Sequence, residues 1–125
     1  MKRFFVISIA LLVLLSMLAF ANEDINLRSI RFNEVVFPGE NLPIFISVKN
    51  IGLDEIDNLH VQIDSPELDL FSRSAEVDLR GLDVATFSVP IYISNYANQG
   101  VYLVRITISD HDDIKRIYYR HVLVI

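Results

Sequence analysis

The acidic run Asp110-His111-Asp112-Asp113 is the group of side chains in this sequence best suited to binding a metal ion. It lies between two predicted strands, where carboxylate oxygens at a hairpin tip can converge on Ca²⁺, which takes about six to eight oxygen ligands. The run lacks the D-x-[DN]-x-[DN]-G spacing of a helix-loop-helix calcium loop, and no second loop supplies further ligands. Asp110, Asp112 and Asp113 are therefore a calcium hypothesis, and a solvated turn is the simpler alternative.

The three histidines, His60, His111 and His121, lie far apart in the sequence. They do not match the H-E-x-x-H zinc motif, and neither a G-x-S-x-G nucleophile turn nor a glycine-rich phosphate loop occurs. Because the chain has no cysteine, disulfide bonds, cysteine zinc sites and a cysteine nucleophile are excluded. The sequence therefore predicts a protein that is not an enzyme and that holds no cofactor.

The last predicted strand, residues 114–125, is rich in residue types that protein interfaces favour. Tyrosine and arginine are enriched where proteins bind one another. An ordinary sandwich strand whose basic residues balance acidic neighbours is the alternative. The candidates for binding a partner are Arg116, Tyr118, Tyr119 and Arg120, and we expect Phe45, Tyr92 and Leu103 to extend this patch from the outer sheet faces.

The charge of the chain argues against a nucleic-acid partner. The net charge of the full sequence is −5, and residues 1–21 contribute two basic residues and no acidic one, so residues 22–125 carry a net charge of −7. Phosphate binding needs a surplus of lysine and arginine on one face. The other acidic groups of the sequence are expected to be charged loops that keep a surface protein soluble.

Residues 1–21 have the parts of a secretory signal: a basic start, a long apolar run and an A-x-A sequence that ends at Ala21. The apolar run approaches the length that crosses a bilayer, so an uncleaved signal-anchor helix that contacts the membrane through residues 4–21 is the alternative. The small residues at the cleavage positions favour cleavage. In both cases residues 22–125 lie outside the cytoplasm, secreted or at the cell surface, because the basic end stays inside.

The hydrophobic pattern after the front segment is that of strands. Short runs with β-branched and aromatic residues alternate with polar ones, and turn signals separate them. About seven strands in a domain of this length predict an all-β, immunoglobulin-like antiparallel β-sandwich. Pro90 is expected to place an edge or a bulge within its strand. The predicted strands cover residues 25–32, 35–37, 43–49, 58–64, 68–72, 84–93, 101–109 and 114–125.

Alternation within these strands predicts the core. Side chains two apart share one face of a strand, and one buried face per sheet is what a sandwich needs. The opposite positions, which include His60, Arg105 and Thr107, are expected to face solvent. The predicted core consists of Leu42, Ile44, Ile46, Val48, Leu59, Val61, Ile63, Phe87, Val89, Ile91, Ile93, Tyr102, Val104, Ile106 and Ile108.

Two sequence patterns carry a family resemblance. Residues 37–52 read F-P-G-E-N-L-P-I-F-I-S-V-K-N-I-G, a P-G-E turn followed by an alternating strand and V-x-N-x-G. Residues 86–91 read T-F-S-V-P-I, and residues 100–109 read G-V-Y-L-V-R-I-T-I-S. Together they resemble the CARDB family, the cell-adhesion-related domains of bacterial and archaeal surface proteins, over most of residues 35–110.

The motif residues are predicted to be turn scaffold rather than a binding site. Pro38 and Gly39 suit a type II turn. Asn50 can bond backbone groups of the following turn through its side chain, and Gly52 can adopt a positive φ at low cost. Gly100 begins the G-x-Y pattern and belongs to the same scaffold.

The resemblance and the front segment together indicate a binding or adhesion module that presents a sandwich surface to another surface protein, an envelope protein or a glycan. Addition of a partner strand to a sheet edge is the simplest physical route. The alternative is a membrane-tethered accessory subunit of an envelope assembly or transport complex. Such domains commonly occur in tandem or beside other modules, whereas this sequence contains one copy.

Overall fold

The computed structural model of the protein describes residues 25–111 and 113–125. Within them, the chain forms nine strands and one 3₁₀ turn, Pro66–Leu68. The signal or anchor helix predicted for residues 1–21 lies outside the described residues, and within the described ones no helix has the length and apolar character needed to span a bilayer. The strands are β1 (Ile25–Arg31), β2 (Val35–Val36), β3 (Ile44–Asn50), β4 (Ile56–Ser65), β5 (Leu70–Arg73), β6 (Val77–Leu79), β7 (Val84–Val89), β8 (Gly100–Asp110) and β9 (Asp113–Val124).

The strands form two sheets that pack as a sandwich. The smaller sheet has the order β1-β3-β7, and the larger has the order β2-β9-β8-β4-β5, with β6 also paired to β4. Pairing is antiparallel throughout except between β2 and β9, which run parallel. The chain therefore crosses from one sheet to the other between β1 and β2. The predicted all-β, immunoglobulin-like sandwich is confirmed.

The core consists of alternate side chains from both sheets, as period-two patterning requires. All fifteen predicted core residues except Tyr102 are buried, and Tyr102 packs against the core from a half-buried position. Two positions expected to face solvent are buried instead, since His60 is 4% and Thr107 is 7% exposed. Both lie on strands that have neighbours on each side, and adjacent strands about 4.8 Å away screen their outer side chains.

The prediction of one strand over residues 84–93 is wrong. Strand β7 ends at Val89, because Pro90 has no N–H to donate to a ladder. After the break, the chain pairs with the segment before β3: the Leu42 N–H donates to the Ile91 carbonyl at 2.7 Å, and the Ile93 N–H donates to the Glu40 carbonyl at 2.9 Å. Strand β6 was not predicted, since three residues are too few for a periodic pattern to appear.

Candidate functional site

The turn at Pro38 and Gly39 has type II geometry. The φ of Gly39 is 83°, and the Glu40 N–H donates to the Phe37 carbonyl at 3.2 Å. A Cβ on Gly39 would also collide with Oδ1 of Asn95. The positive φ therefore favours glycine here, and any other residue would also displace the end of the Asn95 side chain.

Asn50, at the end of β3, is completely buried and joins two turns. Its Oδ1 accepts from the Gly52 N–H at 2.9 Å, and its Nδ2 donates to the carbonyls of Asp54 at 2.8 Å and Leu79 at 3.1 Å. Among the described glycines, φ is positive at Gly39 and Gly100. It is not positive at Gly52, where a positive value was expected. The motif V-x-N-x-G thus uses the asparagine amide to hold the turn after β3 against the turn after β6.

A second contact between these two turns was not anticipated from the sequence. A Cβ on Gly81 would collide with the backbone oxygen of Leu53, so the backbones approach too closely for any side chain. The Leu82 N–H donates to the Gly52 carbonyl at 3.2 Å, across the same junction. The dipeptide Arg80-Gly81 indicated only a turn, because the approach of a distant segment leaves no local signal.

Tyr102, in the G-x-Y pattern that opens β8, ties the strand to the preceding loop. Its hydroxyl donates to the Asn98 carbonyl at 2.7 Å, four residues upstream. A tyrosine at the start of the corresponding strand makes this kind of bond in immunoglobulin-like sandwiches. The pattern is therefore a structural corner beside Gly100 rather than a ligand site.

Replacing this hydroxyl should weaken the fold moderately. We expect Tyr102→Phe to lower the free energy of unfolding by about 1 kcal/mol, the net value of one hydrogen bond, and the melting temperature by about 4–8 °C. Thermal unfolding followed by circular dichroism measures the shift. Tyr96→Phe is the matched control, because Tyr96 is 93% exposed, and equal melting of the two variants would contradict the assignment.

The calcium hypothesis at the β8–β9 turn gains no geometric support from the described residues. Asp112 lies outside them. The backbone of Asp110 pairs with that of Asp113 across the hairpin. The carboxylate of Asp110 forms an ion pair with Lys115, with 3.6 Å between Oδ2 and Nζ. No group of three or more metal-ligating side chains occurs within residues 25–111 and 113–125.

Two of the three histidines contact Asn58. The ring nitrogen Nδ1 of His60 lies 3.0 Å from the Asn58 carbonyl, and Nε2 of His111 lies 2.7 Å from Nδ2 of Asn58. His121 lies on β9 opposite Leu103, near the other end of the sheet. His60 and His111 thus share Asn58 as a partner, and none of these hydrogen bonds involves a serine or threonine hydroxyl that could act as a nucleophile.

The four partner candidates on β9 do not form one surface, because successive residues of a strand point to opposite faces. Tyr119 lies on the outer face of the larger sheet and is 52% exposed. Tyr118 packs against the core, with the Arg120 guanidinium 5.9 Å from its ring centroid. Arg116 donates to the Ile25 carbonyl at 3.1 Å and so binds β9 to the start of β1.

Tyr119 belongs instead to an exposed patch on the outer face of the larger sheet, which we call the apolar patch. Strand register brings its members together from three strands: β2 contributes one, β8 two and β9 three. Their side chains are 37–63% exposed. The apolar patch consists of Val35, Val101, Leu103, Ile117, Tyr119 and Leu123.

A bidentate ion pair borders the apolar patch. Arg105 on β8 lies between Tyr119 of β9 and Asp64 of β4, and its guanidinium donates to the two oxygens of Asp64 at 3.1 and 2.9 Å. The hydrogen bond and the charge of Asp64 raise the pKa of Arg105. These three side chains, with Pro66, Glu67 and Leu103, line a depression of about 270 Å³.

Two of the side chains expected to extend the surface lie on the other sheet. Phe45 is on β3, with the Arg31 guanidinium 6.0 Å from its ring centroid, and Tyr92 bridges to Asn41. Leu103 alone of the three joins the apolar patch. The outward positions of different strands were identified correctly, but the sequence did not show which sheet each strand would join.

Comparisons with known proteins agree on the architecture. No family model and no curated protein matches the sequence. The crystal structure of the CARDB domain of the PF1109 protein from Pyrococcus furiosus, in complex with di-metal ions, has a TM-score of 0.63 and 15% identity, covering 82% of this chain and 88% of that chain. The solution structure of the same domain has a TM-score of 0.59 and 18% identity, covering 82% and 94%.

A third solved structure shares the fold at still lower identity. The FixG-related protein from Vibrio parahaemolyticus has a TM-score of 0.61 and 6% identity, covering 81% of this chain and 96% of that chain. Sandwiches with such different sequences can share a backbone because the pattern of buried positions is sufficient to specify it. The resemblance carried by the two sequence patterns is confirmed at the level of architecture: this chain has the immunoglobulin-like fold of CARDB domains.

Proposed function

We propose that this protein is a non-enzymatic binding module that works outside the cytoplasm and docks a protein partner on the apolar patch. The observation that carries the proposal is the cluster of six exposed apolar side chains on one sheet face. Single exposed apolar residues are ordinary, whereas a contiguous group on a soluble domain is typical of an interaction surface.

The chemistry of the surface favours a protein over a glycan. Five of its six members are aliphatic and one is aromatic. Sugar hydroxyls would lose water there without enough hydrogen-bond partners in return. An apolar protein surface would give up few hydrogen bonds to water on binding there, and the removal of its apolar area from water would favour binding. The absence of charged members from the apolar patch and the presence of a tyrosine in it are typical of the buried centre of protein interfaces, where arginine such as the bordering Arg105 is also enriched.

Arg105 is prepared for such a role before a partner arrives. The two hydrogen bonds that the guanidinium of Arg105 donates to Asp64 hold it in one orientation, at the strand position opposite Tyr119. A side chain that is already ordered loses less conformational entropy when it enters an interface. The apolar patch is therefore flanked by a fixed polar group that can set the orientation of a partner.

Strand addition at the edge of β9 is the competing route. Strand β2 pairs with only Leu123 and Val124 of β9, so in the part of the chain that the structure describes, most of this edge has no neighbouring strand. Arg116 and Arg120, however, donate to the carbonyls of Lys115 and Tyr119 on their own strand, at 2.7 and 2.8 Å. These side chains lie along the strand and would have to move, and basic residues at an edge protect it from pairing.

The compartment follows from residues 1–21, whose basic, apolar and A-x-A parts are those of an export signal. N-terminal sequencing of the protein from its own cells tests this part. A start at Asn22 is expected and would exclude the membrane-tethered alternative, whereas a start at Met1 in the membrane fraction would support a tethered subunit.

Site-specific photocrosslinking in cells tests the surface itself. A photoreactive phenylalanine analogue at position 103, in the full chain, should give discrete protein adducts. The same analogue at position 45 is the matched control, because Phe45 is comparably exposed on the other sheet. Tyr119→Asp should suppress the adducts from position 103. Equal adducts from both positions, or none from position 103, would overturn the proposed surface.

A further inference from the structure

We infer that the outer face of the smaller sheet is a second binding site, which takes an acidic glycan. This site lies on the other sheet from the apolar patch and does not depend on the function proposed for that patch. Strand register places six outward side chains in two adjacent rows across β1, β3 and β7. This polar face consists of Ser29, Arg31, Phe45, Ser47, Thr86 and Ser88.

The smaller sheet carries positive charge on a negatively charged domain. Its three strands contain Arg28, Arg31 and Lys49 and no aspartate or glutamate. Because residues 22–125 have a net charge of −7, the rest of them carries a net charge of −10. The positive potential is therefore local to this sheet, which attracts an anion that the remainder of the surface repels.

These basic side chains have no carboxylate partner among the described residues. On the larger sheet, Arg105 and Lys115 each form an ion pair with an aspartate. Arg28, Arg31 and Lys49 form none within the part of the chain that the structure describes. Guanidinium and ammonium groups bind anionic oxygens through hydrogen bonds that are about twice as strong as neutral ones. An acidic ligand would therefore supply the partner that these three groups lack.

The hydroxyl groups of the polar face favour a sugar over other anions. Four of its six members are serine or threonine, and they come from all three strands. Each hydroxyl can donate one hydrogen bond and accept others, as sugar hydroxyls do. Neighbouring strands are about 4.8 Å apart, so one sugar ring can reach two of these groups. The hydroxyl of Thr86 lies 3.4 Å from that of Ser47, a long hydrogen bond that a ligand can replace at little cost.

Arg31 and Phe45 lie side by side at one end of the polar face. The guanidinium of Arg31 is 6.0 Å from the ring centroid of Phe45, a cation–π contact that positions the charge. The ring is 37% exposed and offers an apolar contact to the C–H groups of a sugar. Both side chains, with Phe32, Asn33 and Pro43, line a depression of about 370 Å³. This depression can accept one sugar unit with its carboxylate beside Arg31, and the hydroxyl row can accept the units that follow.

The same observations disfavour two other acidic partners. An anionic membrane surface is typically bound by a cluster of about four to eight lysine and arginine residues, whereas the strands of this sheet contain three. The centre of a protein interface is typically apolar and depleted of charge, whereas five of the six members of the polar face are polar or charged. An extended acidic glycan requires neither a larger basic cluster nor an apolar centre.

Isothermal titration calorimetry of protein purified after expression of the full chain tests this site. The probes are hexasaccharides of galacturonate, of mannuronate and of hyaluronan, all of which carry carboxylates. The site is open and shallow, so we expect a dissociation constant of about 0.1–1 mM for at least one of them. The methyl ester of the probe that binds keeps the sugar rings without the charge, and it should bind at least about tenfold more weakly.

Substitutions on the polar face locate the binding. Arg31→Gln removes the charge and should raise the dissociation constant at least about tenfold. Thr86→Val removes one hydroxyl while keeping the shape, and it should raise the constant about two- to tenfold. Arg73→Gln is the matched control, because it removes the same side chain and charge from β5 of the larger sheet. It should leave the constant within about twofold, and circular dichroism verifies that each variant is folded.

Two further probes separate the glycan from other anions. Polyglutamate of equal charge that binds as tightly as the best hexasaccharide would contradict the inference, and so would tighter binding to vesicles that contain phosphatidylglycerol. No binding of any hexasaccharide at about 5 mM, or equal affinities of Arg31→Gln and Arg73→Gln, would also overturn it. Photocrosslinking at position 103 reports on the other sheet, so this inference and the proposed function can fail separately.

Discussion

Asn50→Ala should lower the free energy of unfolding by about 3–5 kcal/mol. The side chain is fully buried, and its loss leaves the Gly52 N–H and the carbonyls of Asp54 and Leu79 without this partner. Each buried group left unsatisfied costs about 1–3 kcal/mol. For a domain of about 100 residues this corresponds to a fall in melting temperature of about 12–40 °C.

Thermal unfolding of the full chain by circular dichroism measures this effect. Asn33→Ala is the matched control, because Asn33 is exposed in the β1–β2 connection. This variant should melt within about 2 °C of wild type. Asn50→Asp retains an acceptor for the Gly52 N–H but loses both donors, so it should also destabilise strongly. If Asn50→Ala and Asn33→Ala melt together, the amide does not hold the two turns.

Ile106→Ala should lower the free energy of unfolding by about 2–5 kcal/mol. Ile106 is completely buried in β8, in the middle of the larger sheet, between Ile63 of β4 and Tyr118 of β9. Removing its methyl groups loses burial and leaves a cavity that closely packed neighbours fill only in part. Urea unfolding should show a lower midpoint with an unchanged slope.

Ile114→Ala is the control for this substitution, since the same side chain is removed where it is 62% exposed. We expect a change within about 0.5 kcal/mol. Because neither residue belongs to the apolar patch, both substitutions change the stability of the fold without changing the proposed binding surface. Similar midpoints for the two variants would show that burial at position 106 contributes little to folding.

The core was predictable because it depends on a local rule. Alternation places Ile44, Ile46 and Val48 on one face of β3 whatever the strand pairs with, and all three are buried. The type II turn at Gly39 is equally local, since Pro38 and Gly39 match its two central conformations. Features within about four residues of each other therefore follow from residue type and spacing.

The errors have tertiary causes. His60 is buried although its position was assigned to the outer face, because strands flank β4 on both sides. The requirement for Gly81 comes from the backbone of Leu53, 28 positions earlier. Each depends on a contact between segments that sequence spacing does not specify.

The residues proposed to bind a partner show the same division. The sequence indicated tyrosine and arginine on the last strand, and Tyr119 does lie at an exposed apolar surface. Arg116 instead bonds to the Ile25 carbonyl, which only the path of β9 beside β1 reveals, and Arg120 bonds to the Tyr119 carbonyl on its own strand. Residue type alone indicated β9, one of the strands of the apolar patch, but not which face of it is exposed.

The sequence by itself determined the strand pattern, the buried face of each strand and the motifs that resemble CARDB domains, because these depend on period-two alternation and on turn chemistry. Only the tertiary structure decided the surface. Val35, Val101 and Leu123 are far apart in the chain and become neighbours through the hydrogen-bonded register of β2, β8 and β9. A shift of that register by one residue would turn the whole row to the other face, so the apolar patch is a property of strand pairing.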